Sequence, residues 1–313
     1  MSTQTLDSVA ARQVQSRAPK KRNKNRGKLW WRYLTAVLAF LFAVMPIVWV
    51  MMAALNPAGT LSTLNLHWSD FGLDNFRFLF GKHDISNDVT YENYPYLHWY
   101  GNSLMISSVA AILQVTVATV AAYAFSRIAF KGRRLSLGGL LILQMFPQIL
   151  SFIALFLIMQ KIGTIFPFMG TGTIAGLILI YLGGAMGYNT YLLKGFFDTI
   201  PRELDEAAIV DGATANQVFM KIILPLAAPM LAVVMLLSFI GLMNDFVLAS
   251  IFLTKTDQMT LAVGLRSFIS GRYASNWGVF AAGAMLAALP VVILFQVLQR
   301  FIVEGLSAGS VKG

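Results

Sequence analysis

Six stretches of this chain are each long and apolar enough to cross a lipid bilayer, and together they carry one charged residue. They cover residues 33–55, 103–126, 135–160, 173–193, 222–253 and 276–299, and the charge is Asp245, near the far end of the fifth. Roughly 20 mainly apolar residues suffice for a membrane-spanning helix, so the pattern predicts an all-α integral membrane protein with six spans. Only 12% of the residues are charged, against roughly 25% in an ordinary soluble domain, and the mean hydropathy is +0.66. The fifth stretch is overlong, which implies tilt or an interfacial portion. Pro46, Pro147, Pro225, Pro229 and Pro290 lie in or at the edges of the spans, where proline kinks a helix and neighbouring helices re-satisfy the freed carbonyl.

The net charge of +10 is concentrated in one place. Residues 1–33 hold nine basic side chains (Arg12, Arg17, Lys20, Lys21, Arg22, Lys24, Arg26, Lys28, Arg32) against one acid, Asp7, and so account for +8 of it. A basic block before an apolar span marks a cytoplasmic tail; nucleic acid is the minor alternative and is not expected as a partner. No small-residue cleavage pattern follows, so no removable signal peptide is expected. The same rule places residues 127–134, with Arg127, Lys131, Arg133 and Arg134, inside. Residues 56–102, with five acids (Asp70, Asp74, Asp84, Asp88, Glu92) against Arg77 and Lys82, fall outside. Residues 194–221 are then inside, 254–275 outside and 300–313 inside. The expected organisation is a tail over 1–33, a membrane domain over 34–302 and a second cytoplasmic tail over 303–313.

Several function classes are excluded or disfavoured. There is no cysteine, which removes disulfide and thiol chemistry. The three histidines, His67, His83 and His98, all lie in the segment 56–102, so no catalytic or metal centre is expected, and clustered acids are missing from the spans. No Gly-rich loop ends in Gly-Lys-Ser/Thr, so energy must come from another subunit or an ion gradient. Ion-coupled carriers place ionisable groups near the membrane midplane, whereas the spans here contain only Asp245, close to an end, which disfavours a secondary transporter. The segment 56–102 is rich in aromatics (Trp68, Phe71, Phe76, Phe78, Phe80, Tyr91, Tyr94, Tyr96, Trp99, Tyr100). It reads either as packing over the bundle or as a docking surface.

The longest conspicuously polar inside segment, 194–221, carries the most information. Pro201 suits a first helical turn, and Glu203, Asp205 and Glu206 complement the positive end of the helix dipole. Leu204, Ala207 and Ala208 form a short apolar face at helical spacing. Gly212 should end or bend the helix. Thr214 and Gln217 have capping-box spacing for a second short helix, with Val218, Phe219 and Ile222 on one side. The result is a small helix–turn–helix whose small residues admit another protein closely.

Glu206-Ala207-Ala208, three residues, Gly212, nine residues, Ile222, one residue, Leu224-Pro225 resembles the "EAA" loop of permease subunits of binding-protein-dependent ABC importers. The resemblance extends from about Leu34 over most of the chain. Asn102-Ser103-Leu104, Ala122-Tyr123-Ala124-Phe125-Ser126-Arg127 and the stretch from Val303 to Gly313 look like the carbohydrate-uptake branch, of the maltose/maltodextrin type. Asn244-Asp245-Phe246 resembles a family Asn-acid-Phe element, with Met243 where many sugar permeases carry Trp.

The resemblance implies a six-helix type I importer permease in a bacterial inner membrane, both termini cytoplasmic, with a cytoplasmic coupling helix. It implies that Glu206, Ala207, Ala208, Gly212, Leu224 and Pro225 engage an ATPase. The implied partners are a second related permease, a homodimeric ABC ATPase, an extracytoplasmic sugar-binding protein and membrane lipid. ATP and Mg would be used by the ATPase and no cofactor bound by this chain. The implied cargo is a di- or oligosaccharide such as maltose, maltodextrin or trehalose, and in the resembling system the companion permease carries the sugar site. Gln144, Phe146, Tyr188 and Asn189 can line a polar sugar path or pack in the core. Asn244 and Asp245 belong either to the path or to the boundary. Phe268, Ser270, Gly271, Arg272 and Tyr273 form either a plain outer connector or a contact for the binding protein. The rivals from other classes are a stand-alone secondary transporter and a membrane enzyme.

Overall fold

The computed structural model describes residues 30–56, 71–81, 94–184, 186–270 and 276–309, with side chains as far as Phe301. The basic tail as far as residue 29 lies outside the described residues. So do His67, Trp68, Asp70, His83, Asp84, Asp88, Tyr91, Glu92, the loop positions Gly271, Arg272 and Tyr273, and the last four residues. Every regular element among the described residues is helical.

The described residues form two compact units, divided between Trp49 and Val50. The first span is α1, Trp30–Leu55, apolar on every side, with Pro46 inside it. At 1.5 Å per residue its length is about 39 Å, more than the roughly 30 Å hydrocarbon core.

The second unit is organised around a long helix. After α2 (Asp74–Phe80) comes α3, Tyr96–Arg127. Its buried positions include Ser103, Ser107, Ala110, Ala111, Gln114, Ala118, Ala122 and Ser126. They recur every three or four residues and so share one face, and all but Gln114 are small enough to let neighbouring helices approach closely, which is how membrane helices gain contact without a hydrophobic drive. There follow α4 (Arg133–Met145), α5 (Gln148–Ile165), α6 (Ile174–Gly183), α7 (Tyr188–Phe197), α8 (Glu203–Val210), α9 (Ala215–Val218) and α10 (Leu224–Leu226). The last four are α11 (Ala228–Met243), α12 (Val247–Phe252), α13 (Leu261–Ser267) and α14 (Trp277–Gly309).

Helix α3 contributes to all three apolar clusters. One gathers Tyr96, Trp99, Phe239, Met243, Leu261, Phe268 and Val279. Another, at the opposite end of α3, gathers Ala118, Ala122, Leu193, Phe197, Val218, Ile223 and Val234. The third joins Ile106 and Ala110 to Leu177, Tyr181, Ala249 and Phe252. In the first, Phe76, Phe78, Tyr94, Tyr96, Trp99 and Tyr100 of segment 56–102 pack inward, whereas Phe80 is exposed. The Phe268 ring lies edge-on to Phe78 and Trp99, each at 6.0 Å, and tilted against Tyr94 at 5.2 Å. Gly264 is required there, because a Cβ would lie 2.2 Å from the Trp99 ring.

Among the described residues, four helices are singly long and apolar enough to cross a membrane, and up to six spans result if each of two bent pairs counts as one. The breaks correct three of the expected spans. The stretch 135–160 is divided at Phe146-Pro147, where Phe146 is extended (φ −70°, ψ 129°); a residue before proline is pushed out of the helical region. The stretch 173–193 bends by 50° between α6 and α7, at a Gly184–Gly187 turn. The stretch 222–253 is not one helix. It bends by 73° at Ala227, between Pro225 and Pro229, neither of which can donate a backbone hydrogen bond. It breaks again at residues 244–246, where the Asn244 amide donates to the Ile240 carbonyl at 2.9 Å and competes with the backbone ladder.

Candidate functional site

The segment between α7 and α11 forms a ledge at one end of α3. Helix α8 opens at Glu203, two residues after Pro201, and carries Glu203, Asp205 and Glu206 in its first turn. Its far end is closed by Gly212, whose φ is +85°. Gly212 N–H donates to the Ile209 carbonyl at 3.0 Å and Ala213 N–H to the Ala208 carbonyl at 2.9 Å. This pair of bonds is the Schellman closure, which needs a left-handed residue at that position. Immediately afterwards Thr214 and Gln217 form the expected capping box, with the Gln217 side chain accepting from Thr214 N–H at 2.8 Å. Beyond α9 the backbone widens to a π turn over Phe219–Ile223, with Leu224 N–H donating to the Phe219 carbonyl. Pro225 cannot donate and its ring would crowd the carbonyl four residues back, which a wider turn relieves. The extra residue makes Ile223, rather than Ile222, the fully buried position beside Val218.

The two faces of α8 differ. Asp205 and Ala208, three residues apart, turn toward the bundle and are half-buried, whereas Glu203, Glu206, Ala207 and Val210 are exposed. The expected apolar face of Leu204, Ala207 and Ala208 is therefore divided: Ala208 packs inward against the cluster around Phe197, and Leu204 and Ala207 are exposed. Leu224 is half-buried and Pro225 exposed. Glu206, Ala207, Val210 and Gly212 are open to solvent, as are Ile209 and Met220, both more than half exposed.

The ledge is fastened to the last turn of α3. Arg127 Nε lies 2.7 Å from Asp205 Oδ2, and both side chains are largely buried, at 7% and 14% exposure. The contact is an ion pair by distance rather than a linear hydrogen bond. The same guanidinium donates to the Ile200 carbonyl at 2.8 Å. Ser126 Oγ donates to Asp198 Oδ1 at 2.6 Å, Arg202 to the Ser126 carbonyl at 3.2 Å and Arg133 to that carbonyl at 3.3 Å. Lys194 pairs with Asp198. Burial opposes ionisation of Asp198, but hydrogen bonds from Lys194 and Ser126 and the charges of Lys194 and Arg133 outweigh it and hold the carboxyl below its ordinary value. Cations at the C-terminal end of α3 also complement its dipole.

The polar residues expected along a path fall at two helix breaks. At the α6–α7 bend the Gln144 side chain lies so near Gly187 that a Cβ there would come within 3.1 Å. Asn189 donates to Ser238 Oγ at 2.9 Å, and buried Gln114 donates to the Tyr181 carbonyl at 2.7 Å. Tyr188, like Phe146 beside Pro147, is more than half exposed. At the other break Asp245 Oδ2 accepts from Tyr181 Oη at 2.6 Å and from Ala249 N–H at 3.0 Å, while Asn244 is exposed. Of the residues in the loop expected outside, Phe268 is buried and Ser270 exposed, and the Phe268 carbonyl accepts from Asn276 N–H at 2.8 Å. Sequence reasoning assigned no role to Gln114, Tyr181 or Ser238, and gave Arg127 only to the inside basic cluster and the 122–127 motif and Asp205 only to the helix dipole. Gln114 was visible as an amide inside an apolar run; the pairing of Arg127 with Asp205, 78 positions apart, had no local signal.

The family model for "Binding-protein-dependent transport system inner membrane component" matches residues 114–307. The maltose/maltodextrin transport system permease protein MalG of Photorhabdus laumondii is 40% identical over 289 residues, covering 90% of this chain and 97% of that protein. MalG of Escherichia coli K12 is 39% identical over 280 residues, with 88% and 94% covered. The galactooligosaccharides transport system permease protein GanQ of Bacillus subtilis is 39% identical over 287 residues, with 91% and 96% covered. Among solved structures, a chain of a bacterial ABC transporter involved in the import of the acidic polysaccharide alginate aligns with a TM-score of 0.69 at 23% identity, covering 90% of this chain and 99% of that one.

Proposed function

This chain belongs to the inner-membrane components of binding-protein-dependent transport systems, and on that premise we propose that it is a permease subunit of an ATP-driven importer of a di- or oligosaccharide. The single observation that carries the coupling part of this reading is the ledge. Its Glu206, Ala207 and Gly212 lie on an open surface behind a Schellman closure and a capping box, while its inner side is bonded to α3. Such a surface suits a partner that seats on α8 and moves it. The partner would be a homodimeric ABC ATPase, which would hold the ATP and Mg. A second related permease would supply the other half of the path, and an extracytoplasmic binding protein would deliver the sugar. The breaks at Gly184–Gly187 and at residues 244–246 are where the helices of this subunit would flex, and Gln144, Tyr188, Asn189, Asn244 and Asp245 would face the path there. The basic tail and residues 127–134 would lie in the cytoplasm, with both termini.

The sugar class rests on relatives named for maltose, maltodextrin and galactooligosaccharides. The test is affinity purification of the tagged chain from its native membrane, followed by identification of co-purifying subunits and uptake of labelled maltose, maltotriose, trehalose and galactobiose. Retention of an ABC ATPase and ATP-dependent uptake of one of these sugars is the expected result. Sugar movement by the lone chain under an ion gradient would overturn it in favour of a secondary transporter.

A further inference from the structure

We propose that the Arg127–Asp205 ion pair is the link through which movement of α8 reaches the membrane domain, separate from the surface on which α8 meets its partner. The inference rests on the coupling reading above and assigns the step within this chain. Asp205 and Glu206 are neighbours in sequence, yet α8 turns one inward and the other outward. Asp205 lies 2.7 Å from Arg127, with 14% of the Asp205 and 7% of the Arg127 side chain exposed, so the pair is shielded from the screening that weakens surface ion pairs. Arg127 is the last residue of α3, and its guanidinium also holds the Ile200 carbonyl at 2.8 Å, so one side chain grips both the approach to α8 and α8 itself. Helix α3 contributes to all three apolar clusters, so a displacement of its end is felt throughout the second unit. The other bonds between ledge and α3, from Ser126 to Asp198 and from Arg202 to the Ser126 carbonyl, hold residues that precede α8. Arg127–Asp205 alone among these polar contacts joins the helix that would be pushed to the helix that would respond.

The consequence is a separation of phenotypes. Asp205→Asn keeps the shape and removes the charge. In the assembled importer it should leave ATPase retention unchanged, leave ATP hydrolysis largely intact and lose the conformational response. That response can be read without knowing the sugar. The chain has no cysteine, so a single cysteine in place of Tyr188, at the α6–α7 bend, reports accessibility to a maleimide with and without ATP. Asp205→Asn should reduce the ATP-driven change in labelling rate by about fivefold or more, the lower end of ordinary coupling strengths. Asp205→Glu should restore most of it, which a purely space-filling role would not predict. An undiminished ATP response in Asp205→Asn would overturn the proposal. So would failure of Asp205→Asn to assemble or to retain the ATPase, since the pair would then serve folding or docking. Glu206→Ala separates this from the parent reading: if neither it nor Asp205→Asn alters retention, hydrolysis or labelling, α8 is not the coupling element at all.

Discussion

Gly212 gives the most direct way to separate the conformation of the ledge from its use. Its φ is +85°, and a Cβ built there meets nothing within 4 Å. Within the chain, then, a substitution is penalised only by backbone strain. Left-handed backbone costs an L residue about 1–2 kcal/mol, and asparagine, whose short side chain bonds locally, pays least. Gly212→Ala and Gly212→Leu should therefore loosen the turn equally, by about 1–2 kcal/mol or a factor of about 5–30 in its closed population, and Gly212→Asn should loosen it less. A partner seated on the exposed side meets the new side chain by its size instead, so retention should fall in the order Gly, Ala, Asn, Leu. Two assays read the two orders. Trypsin cutting at Arg202 and Lys221, which flank the turn, reports its opening in membranes; pull-down of the ATPase reports docking. Equal protease sensitivity of the Asn and Ala variants would refute the left-handed requirement. Equal ATPase retention by the Ala and Leu variants would refute close approach at this position.

Glu206→Ala should insert and fold normally, because the side chain is exposed, yet weaken ATPase retention; losing one partner of a charge-assisted pair buried on docking costs about 2–5 kcal/mol, and wild-type retention would contradict the assignment. Because the Asp198 carboxyl is held below its ordinary 3.8, its ionised form stabilises the ledge above that pH, and the contribution is lost as pH falls through the lower folded value. Asp198→Asn should accordingly melt below wild type at pH 7, with the difference closing only below pH 3.8; a difference that persists in acid would assign the effect to packing. Gly264→Ala places a Cβ 2.2 Å from Trp99, whose indole donates to the Thr256 carbonyl at 2.7 Å and has little room to yield; overpacking of this kind costs about 1–3 kcal/mol, and an unchanged melting temperature in detergent would show that the ring can move.

The residues of the coupling ledge were legible because their signals are local. A helix dipole with acids in its first turn, a left-handed glycine and a Thr-x-x-Gln box are each complete within four to six residues, and the structure forms all three at Glu203–Val210, Gly212 and Thr214–Gln217. Helix breaks were only partly legible. Prolines marked Phe146-Pro147 and the region of Ala227, but the Gly184–Gly187 bend and the break at residues 244–246 depend on bonds such as Tyr181 to Asp245, which bring together positions 64 apart.

What the sequence alone determined follows from the solvent. Apolar runs of more than 20 residues leave a backbone in lipid no partner but itself, so helical structure and the approximate places of the spans were decided before any packing, though not the breaks inside three of them. What only the tertiary structure decided is which side of each helix meets which neighbour. Hydropathy is almost uniform around α3 and α11, so periodicity could not orient them. The orientation came from small residues that permit close approach and from a few polar side chains that found partners far along the chain. Asp205 and Glu206 are the sharpest case: two adjacent acids, alike in local context, are given opposite surroundings because Arg127 arrives on one side of α8 and not on the other.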